Sequence, residues 1–434
     1  MKLLIFAHTP PPHHGQSYMV QLMLEGLGGD HRPPRAGRIP RHLAGDVHGI
    51  ECYHVNTRLS QRLEDIGEFR GGKLLRLLFY CFEAVWCRFR HGVTNFYYIP
   101  APGKSSALYR DWMVLLICRP FFKRIILHWH AAGLAKWLET SVQIRSRALT
   151  YYCAKHVDLS IVLSRHNLAD AEKLLPRRTC VVGNGIPDPC PDFKTAIWPR
   201  RLARSAARTA LLAGAELQPD GKPEIGADPQ RFKVLFLAHC TREKGLFDAI
   251  EAVAIANREL ADAHSPMRVE LTVAGEFLAA SERAEFDERI QRADLRDAPQ
   301  RSLVHYIGFV RGEAKLRAFV EADCFCFPTY YYAESFGLVV VEAMAAGLPI
   351  ITTRWRSLAE MMPADYPGLV DIRSPHQIAR AMRTLMSQED GQSFREMFLT
   401  RFTLEAHLTK LAEMLNTVAQ TPAAPSGTPV PAAR

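Results

Sequence analysis

The stretch PTYYYAESFGLVVVEAMAAGLP at residues 328–349 decides how this chain folds. Residues 322–327 before it, ADCFCF, are typical of a buried strand, and a helix is predicted to begin near residues 335–337. Gly347 and Pro349 end that helix, because glycine favours the turn after a helix and proline cannot continue one. A strand, a loop and a helix in this order form the repeating unit of a parallel sheet. The stretch therefore predicts an α/β domain with a functional loop at residues 328–337.

Two glutamates lie on either side of the predicted helix start. Glu334 precedes the helix, and Glu342 lies among Leu, Val, Ala and Met side chains, so we expect Glu342 to be buried. A buried carboxylate is costly unless it is paired, and the hydroxyls of a ligand would supply partners, although backbone or arginine would also satisfy it. The helix start offers backbone N–H groups to a phosphate, those of Ser335, Phe336, Gly337 and Leu338. The loop therefore predicts a site for a sugar joined to a nucleotide through phosphate.

The spacing of Glu334 and Glu342, with Phe-Gly after the first and Glu-Ala-Met-Ala-x-Gly-x-Pro from the second, resembles the E-x7-E motif of retaining GT-B glycosyltransferases. The chain is similar to glycosyltransferase family 4 over residues 1–419, most strongly over 233–360. The resemblance implies that Glu334 is catalytic and contacts hydroxyls of the donor sugar. It also implies that Glu342 binds the nucleotide ribose and that the helix start lies at the diphosphate.

Residues 236–245, Phe-Leu-Ala-His-Cys-Thr-Arg-Glu-Lys-Gly, resemble the loop that delivers cations to the donor diphosphate in this family. Lys244 matches, but His239 stands where the family has arginine, and a neutral imidazole balances less phosphate charge than a guanidinium. Either Arg242 reaches the diphosphate, or Lys244 and the helix N–H groups suffice; a solvated Lys244 is the alternative interpretation. Two further strand ends resemble those that flank the nucleotide base, at Gly275 and Val310.

Two features of the first half also resemble the family. After the strand Lys2–Ala7, Gly15 stands in the glycine-containing loop near the donor, where glycine allows a close backbone approach. The strand Arg124–Trp129 leads into His-Ala-Ala-Gly, and the resemblance implies that its histidine faces the donor sugar at the reaction centre. We predict His130 as that catalytic residue, although His128 shares its strand face and a hydrogen-bonded core histidine is the alternative.

Strands alternate with helices on both sides of a proline-rich stretch. This pattern predicts two Rossmann-like, doubly wound α/β domains facing across a cleft, the GT-B architecture. The predicted segments are an acceptor-side domain at 1–190, a linker at 191–230, a nucleotide-sugar-binding domain at 231–402, a helix packing back on the first domain at 403–419, and a disordered tail at 420–434.

The charge is unevenly distributed along the 434 residues. Residues 1–200 hold 27 Lys and Arg against 15 Asp and Glu, whereas residues 201–434 hold 27 against 30. The basic half should hold the acceptor, and it suits a lipid-linked glycan at an anionic membrane surface unless its charges only face water. Nucleic acid is not expected, because no binding motif accompanies these residues. Basic residues accompany the amphipathic segment 74–90, namely Arg70, Lys73, Arg76, Arg88 and Arg90.

The chain shows no export signal, no apolar run of about 18–20 residues and no Asp-x-Asp carboxylate pair. We therefore expect a cytoplasmic protein, with a peripheral position at the inner membrane face left open. We expect neither metal nor other cofactor, because cationic side chains and helix N–H groups would stabilise the leaving diphosphate.

The sequence thus predicts a retaining, metal-independent glycosyltransferase. It would move a sugar from a nucleotide-diphosphate sugar to a glycan or lipid-linked acceptor in cell-surface polysaccharide or glycoconjugate synthesis. Two alternatives stay open: a GT-B nucleotide-sugar epimerase or phosphorylase, and a non-catalytic GT-B protein that binds a glycan or a partner. His239 is the feature that favours the non-catalytic alternative.

Overall fold

The computed structural model describes residues 1–12, 14–35, 37–42, 47–59, 71–100, 103–215, 228–298, 301–388 and 391–420. The chain forms two compact units. One consists of Met1–Asn184 with the chain from Leu404 onward, and the other of Gly185–Thr403. Each unit is a parallel six-stranded sheet flanked by helices, so the predicted α/β class is confirmed.

The strands of the first unit are β1 Lys2–Ala7, β2 Glu51–Asn56, β3 Asn95–Tyr98, β4 Arg124–Trp129, β5 Leu159–Val162 and β6 Thr179–Val181, in the sheet order β2-β1-β3-β4-β5-β6. Its helices are α1 Gly15–Gly26, α2 Gly71–His91, α3 Ser105–Cys118, α4 Leu134–Ser141, α5 Ile144–Ala154 and α6 Leu168–Glu172. Successive residues of a strand point to opposite faces of its sheet. Leu4 and Phe6 of β1 accordingly pack into one core with α2 and α3, and Leu3 and Ile5 pack into another.

The strands of the second unit are β7 Arg231–Leu237, β8 Arg268–Ala274, β9 Arg296–Ala298, β10 Arg301–Ser302, β11 Val304–Gly308, β12 Cys324–Phe327, β13 Ile350–Thr353 and β14 Leu369–Val370. Its helices are α7 Trp198–Leu212, α8 Leu246–Asp262, α9 Ala280–Arg289, α10 Gly312–Glu321, α11 Leu338–Ala345, α12 Leu358–Met361, α13 Pro375–Met386 and α14 Gly391–Arg401. The strand order β11-β8-β7-β12-β13-β14 is that of a dinucleotide-binding Rossmann sheet, with β9 and β10 forming a separate hairpin. In such sheets the order reverses between the first and fourth strands, and ligands bind beyond the carboxyl ends there.

A last helix, α15 Leu404–Gln420, returns to the first unit. Its residues Leu408, Leu411 and Leu415 join the core formed by the β1 face that carries Leu3 and Ile5. The prediction that residues 403–419 pack back on the first domain is therefore confirmed. The predicted tail falls almost wholly on residues 421–434, which lie outside the described residues.

The predicted linker at 191–230 is wrong as far as the structure describes it. The second unit begins at Gly185 rather than after residue 190, and α7 is part of that unit. Arg204 of α7 forms a buried ion pair with Asp323, with 2.8 Å between Nη2 and Oδ2. The prolines around α7 are typical of an interdomain linker. The arginines of α7 nevertheless bind this helix to the interior of the second unit. Residues 216–227 of the segment lie outside the described residues.

Three strand regions were not predicted from the sequence. β2 contains His54 and ends at Asn56, so polar residues interrupt its apolar pattern. His54 is nevertheless fully buried. β14 has two residues, and β9 with β10 forms a short hairpin rich in arginine and aspartate. Within the described ranges, no helix has the length and apolar character required to cross a bilayer.

Candidate active site

Two loops of the second unit meet at the point where the strand order reverses. The β7 loop (residues 238–245) follows β7, and the β12 loop (residues 328–337) follows the neighbouring strand β12, paired at Phe325 and Leu235. The backbone N–H of Tyr330 donates to the Glu243 carbonyl at 2.8 Å. Gly245 has φ +82, and a Cβ at this position would overlap the carbonyl oxygen of Pro328. The two loops are therefore held in contact by backbone atoms.

Lys244 and Glu334 form an ion pair between these loops. The Lys244 Nζ lies 2.6 Å from Glu334 Oε2, and the side chains are 17% and 10% exposed. The same ammonium lies 4.6 Å from the centroid of the Tyr331 ring and 5.4 Å from that of Phe327. Aromatic faces attract a cation, so Lys244 has partners besides the carboxylate. The structure thus brings together the predicted diphosphate cation and the predicted catalytic carboxylate.

Helix α11 begins at the end of the β12 loop. Gly337 is its N-cap with φ +76, and Leu338 is its first residue, close to the predicted start. Ser335 and Phe336 are buried, and Phe336 packs edge-on against Phe402 with ring centroids 6.0 Å apart. The first turn of a helix has N–H groups without intrahelical acceptors, so this end of α11 is suited to an anion.

The opposite end of α11 is bound by two arginines. Arg201 of α7 donates to the carbonyls of Ala346, at 2.6 Å, and Gly347, and Arg395 of α14 donates to that of Ala345 at 2.7 Å. Carbonyls at a helix C-terminus carry partial negative charge, which cations stabilise. Both ends of this eight-residue helix are therefore adapted to charged groups.

Glu342 departs from the sequence expectation. It is half-buried rather than buried, because Leu338, Val339 and Glu342 form the more exposed side of α11. Its Oε1 lies 2.5 Å from the Nζ of Lys315 in α10. Sequence reasoning identified Glu342 but not Lys315. A carboxylate in an apolar helix needs a partner, and this need is the signal that could have indicated a nearby cation.

His239 lies within the β7 loop, and Gly275 packs against that loop. Burial lowers the pKa of His239, the nearby Lys244 lowers it further and Glu276 opposes the shift, so the imidazole is neutral near pH 7. Gly275 has φ +149, and a Cβ there would overlap the carbonyl oxygen of Ala238. Val310, which follows β11, is half-buried. His239 and Gly275 are thus part of or next to the paired loops, whereas Val310 follows a different strand.

Arg242 does not join the Lys244 group. Its Nη2 lies 2.6 Å from Glu285 Oε1 of α9, and its backbone N–H donates to Glu282 at 2.8 Å. The guanidinium is exposed and lies 4.8 Å from the centroid of the Phe247 ring. In this structure Arg242 therefore fixes the β7 loop to α9. It does not take the place of the family arginine at whose position His239 stands.

The first unit places its predicted residues at its own carboxyl edge. His130 follows the last residue of β4 and is half-buried, whereas His128 lies inside β4 with its ring bonded to Tyr97 through Nδ1. Burial, with His407 and His14 nearby, lowers the pKa of His130 to about 3. Gly15 opens α1 next to its N-cap His14. The choice of His130 as the residue at the strand tip matches its position.

A small open pocket lies where the strand order of the first sheet reverses, between β1 and β3. Sequence reasoning did not identify it. Its polar lining is His8, Gln16, Thr57, Tyr98 and Arg110. Across the described residues, no group of three or more His, Cys, Asp or Glu side chains is arranged to hold a metal ion, and metal independence stays a prediction.

Comparison with known proteins gives matches to glycosyltransferases. Residues 218–398 match the profile of the family described as Glycosyl transferases group 1. The amylovoran biosynthesis glycosyltransferase AmsK of Erwinia amylovora is 24% identical over 406 residues, which cover 88% of this chain and 90% of that protein. An uncharacterized glycosyltransferase of Methanocaldococcus jannaschii is 28% identical over 165 residues, and the match spans only 38% of that protein's length and 38% of this chain.

Solved structures show the same fold. The crystal structure of Anabaena HepE in complex with UDP has a TM-score of 0.60 to this chain at 17% sequence identity. The alignment covers 96% of this chain and 100% of that one. The likeness therefore includes both Rossmann-like units rather than the second alone.

Proposed function

This chain has the GT-B fold with a glycosyl transferases group 1 domain at residues 218–398, and on that premise we propose a retaining transfer of a sugar from a nucleotide-diphosphate sugar. The acceptor is a glycan or a lipid-linked glycan in cell-surface polysaccharide or glycoconjugate synthesis. The name of AmsK supports a role in polysaccharide synthesis, and the UDP in the HepE crystal makes UDP the first nucleotide to test.

One observation carries this proposal: Lys244 and Glu334 meet where the strand order of the second sheet reverses, next to the start of α11. A donor bound there presents its diphosphate to the ammonium and the helix N–H groups, and its sugar to the Glu334 carboxylate. As the bond to the diphosphate breaks, negative charge grows on the leaving oxygen. Fixed positive groups stabilise that charge without reorganising, which is the main electrostatic contribution in such sites.

We propose that Glu342 binds the ribose hydroxyls and that His130 contacts the donor sugar. The low pKa of His130 keeps its imidazole neutral, so it offers a hydrogen bond rather than a positive charge. Retention of configuration implies attack from the face that the diphosphate leaves. The leaving phosphate then takes the acceptor proton, because it lies on the same face as the attacking hydroxyl.

We propose that the acceptor binds in the first unit, at the pocket beside His8 and Arg110. Arg110 is held by Asp111, with 3.0 Å between Nη2 and Oδ1, and Tyr98 donates to the same carboxylate oxygen at 2.6 Å. Guanidinium, imidazole and amide groups suit a polar, hydroxyl-rich or phosphorylated acceptor. We also propose a cytoplasmic location at the inner membrane face and chemistry that needs no metal.

The proposal is tested by measuring the melting temperature with UDP, GDP, ADP and dTDP, because a ligand that binds only the folded state raises it. The nucleotide that gives the largest shift is then supplied as its sugar conjugates, with and without glycan acceptors and with and without a chelator. We expect acceptor-dependent nucleotide release that the chelator does not abolish, and a product with the donor's anomeric configuration.

Three results would contradict parts of the proposal. Turnover that needs no acceptor would favour an epimerase, and an inverted product would exclude retention. Normal folding without turnover of any donor would favour the non-catalytic alternative that His239 suggests.

A further inference from the structure

Helix α2 exposes an apolar stripe to solvent. Five of its large apolar side chains are between 55 and 70% exposed. They are Leu75, Phe79, Phe82, Trp86 and Phe89, and we name them the α2 stripe. At about 100° per residue, these positions fall within an arc of about 80° on the helix surface. The stripe is therefore continuous over about four turns of α2.

The folding of α2 does not account for the stripe. The opposite side of the helix already packs into the first unit's core through Leu77, Cys81, Ala84 and Cys87. A surface helix normally presents charged or polar residues away from the core. Contiguous exposed apolar residues of this size mark an interaction surface, because water contact with them is unfavourable.

Basic side chains border the stripe. Arg76 and Arg90 are the exposed charged residues among the described side chains of α2, and Arg88 donates to the Phe121 carbonyl at 2.9 Å. The acidic residue of the helix, Glu83, is engaged internally by Arg32, with 2.6 Å between its Oε1 and the guanidinium Nη1. One side of the stripe, where Arg76 and Arg90 lie, is consequently positive.

The apolar surface continues beyond α2. The Phe121 ring, which is partly exposed, lies edge-on to Phe89 with centroids 6.0 Å apart. Lys123 follows two residues later and is exposed. The arrangement of an apolar centre with a tryptophan and a basic border is typical of helices that lie in a membrane interface.

We propose that the α2 stripe inserts into the boundary between headgroups and acyl chains of an anionic bilayer, with Arg76 and Arg90 at the lipid phosphates. Charge complementarity favours this partner over a second copy of the chain, since a second α2 stripe would offer Arg76 and Arg90 no anionic group, its Glu83 being engaged by Arg32. The inference deepens the proposed function, because it brings the acceptor-side unit to lipid-linked glycans. It does not depend on the chemistry of the donor.

The test is co-sedimentation of the full chain with phosphatidylcholine vesicles, with and without an equal part of phosphatidylglycerol. We expect binding at least about tenfold tighter to the anionic vesicles. The double variant Phe79→Ser/Phe82→Ser should bind them at least about tenfold more weakly, because two apolar side chains no longer enter the bilayer. Arg76→Gln/Arg90→Gln should also bind about tenfold more weakly and lose most of the dependence on salt.

Helix α5 offers a matched control, since its Ile144 is 78% exposed and the adjacent Arg145 is exposed too. Ile144→Ser/Arg145→Gln should bind anionic vesicles as the wild type does. Brominated lipids should quench the fluorescence of Trp86 on binding, and Trp86→Phe should remove that quenching while leaving binding within about threefold.

Three results would overturn the proposal. They are wild-type protein that stays in the supernatant with anionic vesicles, a Phe79→Ser/Phe82→Ser variant that binds like the wild type, and a self-association without vesicle binding that this variant abolishes. Nucleotide-induced melting shifts in vesicle-free buffer, measured on the same variants, keep a failure of the membrane proposal separate from a failure of the proposed function.

Discussion

Replacing Lys244 by methionine should affect the protein differently from replacing Glu334 by glutamine, although both changes break the same ion pair. Lys244→Met leaves the Glu334 carboxylate, in a residue that is 8% exposed, with no other ion-pair partner among the described residues. Glu334→Gln leaves the ammonium with the rings of Tyr331 and Phe327 and with an amide oxygen that still accepts a hydrogen bond. The structure therefore predicts that the two substitutions lower the free energy of unfolding by unequal amounts.

The magnitudes follow from the burial and the distance. Removing one partner of a buried pair costs about 3–5 kcal/mol, and because both side chains keep some solvent contact we take about 3 kcal/mol for Lys244→Met. For Glu334→Gln we expect about 1 kcal/mol, since contacts with aromatic faces and a neutral hydrogen bond retain most of the ammonium's stabilisation. The two variants should differ by about 2 kcal/mol in the free energy of unfolding.

Binding of UDP should change in opposite directions. Lys244→Met removes a charge-assisted contact to the diphosphate, so UDP affinity should fall by about tenfold to a hundredfold. Glu334→Gln removes a carboxylate that competes with the diphosphate for the ammonium, so UDP affinity should stay equal or rise while turnover of the UDP-sugar falls.

Calorimetric titration with UDP, combined with urea denaturation of the same samples, checks both halves of the argument. If Glu334→Gln weakened UDP binding as much as Lys244→Met, Lys244 would not be the diphosphate cation. If it cost as much stability, the aromatic contacts would not retain the stabilisation of the ammonium. A Lys244→Met variant that binds UDP normally would also exclude Lys244 as the diphosphate cation.

Further predictions concern the second site carboxylate, the loop contact and acid stability. Glu342→Ala should weaken nucleotide binding by at least about tenfold, whereas His130→Ala should mainly lower turnover; titration with the nucleotide distinguishes them, and the reverse order would exchange their roles. Gly245→Ala should cost about 2–4 kcal/mol in urea denaturation because a Cβ overlaps backbone at φ +82, against about 1 kcal/mol for Gly308→Ala, which has φ +74 and open space. Burial lowers the pKa of His54 to about 4, so its unfolded form takes up a proton first as pH falls below about 6.5. Its contribution to stability is complete above that value and is lost towards pH 4 by up to about 1.4 kcal/mol per pH unit, and His54→Gln should make urea midpoints between pH 7 and pH 5 less dependent on pH.

The fold was largely readable because apolar patterns and strand ends are local properties of the sequence. The predicted strands Lys2–Ala7 and Arg124–Trp129 coincide with observed ones. β2 was missed because its polar residue His54 becomes acceptable only through a tertiary contact, a bond of 2.8 Å to the Ala7 carbonyl. Local pattern carries no information about such a partner.

Some residues of the candidate site could likewise be predicted from the sequence, and others could not. The motif spacing located the two carboxylates and Lys244, because each motif occupies a short continuous stretch of the chain. The partner of Glu342 could not be found by spacing, because Lys315 comes from a helix 27 residues earlier. In the same way, the position of the Arg242 side chain depends on Glu285, which lies in a different helix. Pairings between elements are set by packing, which the sequence does not express locally.

The misassigned linker shows how distant residues shape the site. Arg201, from the segment expected to connect two domains, and Arg395, from α14, both neutralise the carbonyl end of α11. A short helix has partial charges at both ends, and the negative end reduces the positive potential at the other. By compensating the negative end, the two guanidiniums strengthen the attraction of the N-terminal N–H groups for a phosphate. Arg395 is itself anchored to Asp188, with 2.7 Å between Nη1 and Oδ1. The region after Gly185 therefore contributes to the charge balance of α11, and the same contacts hold this region in the second unit.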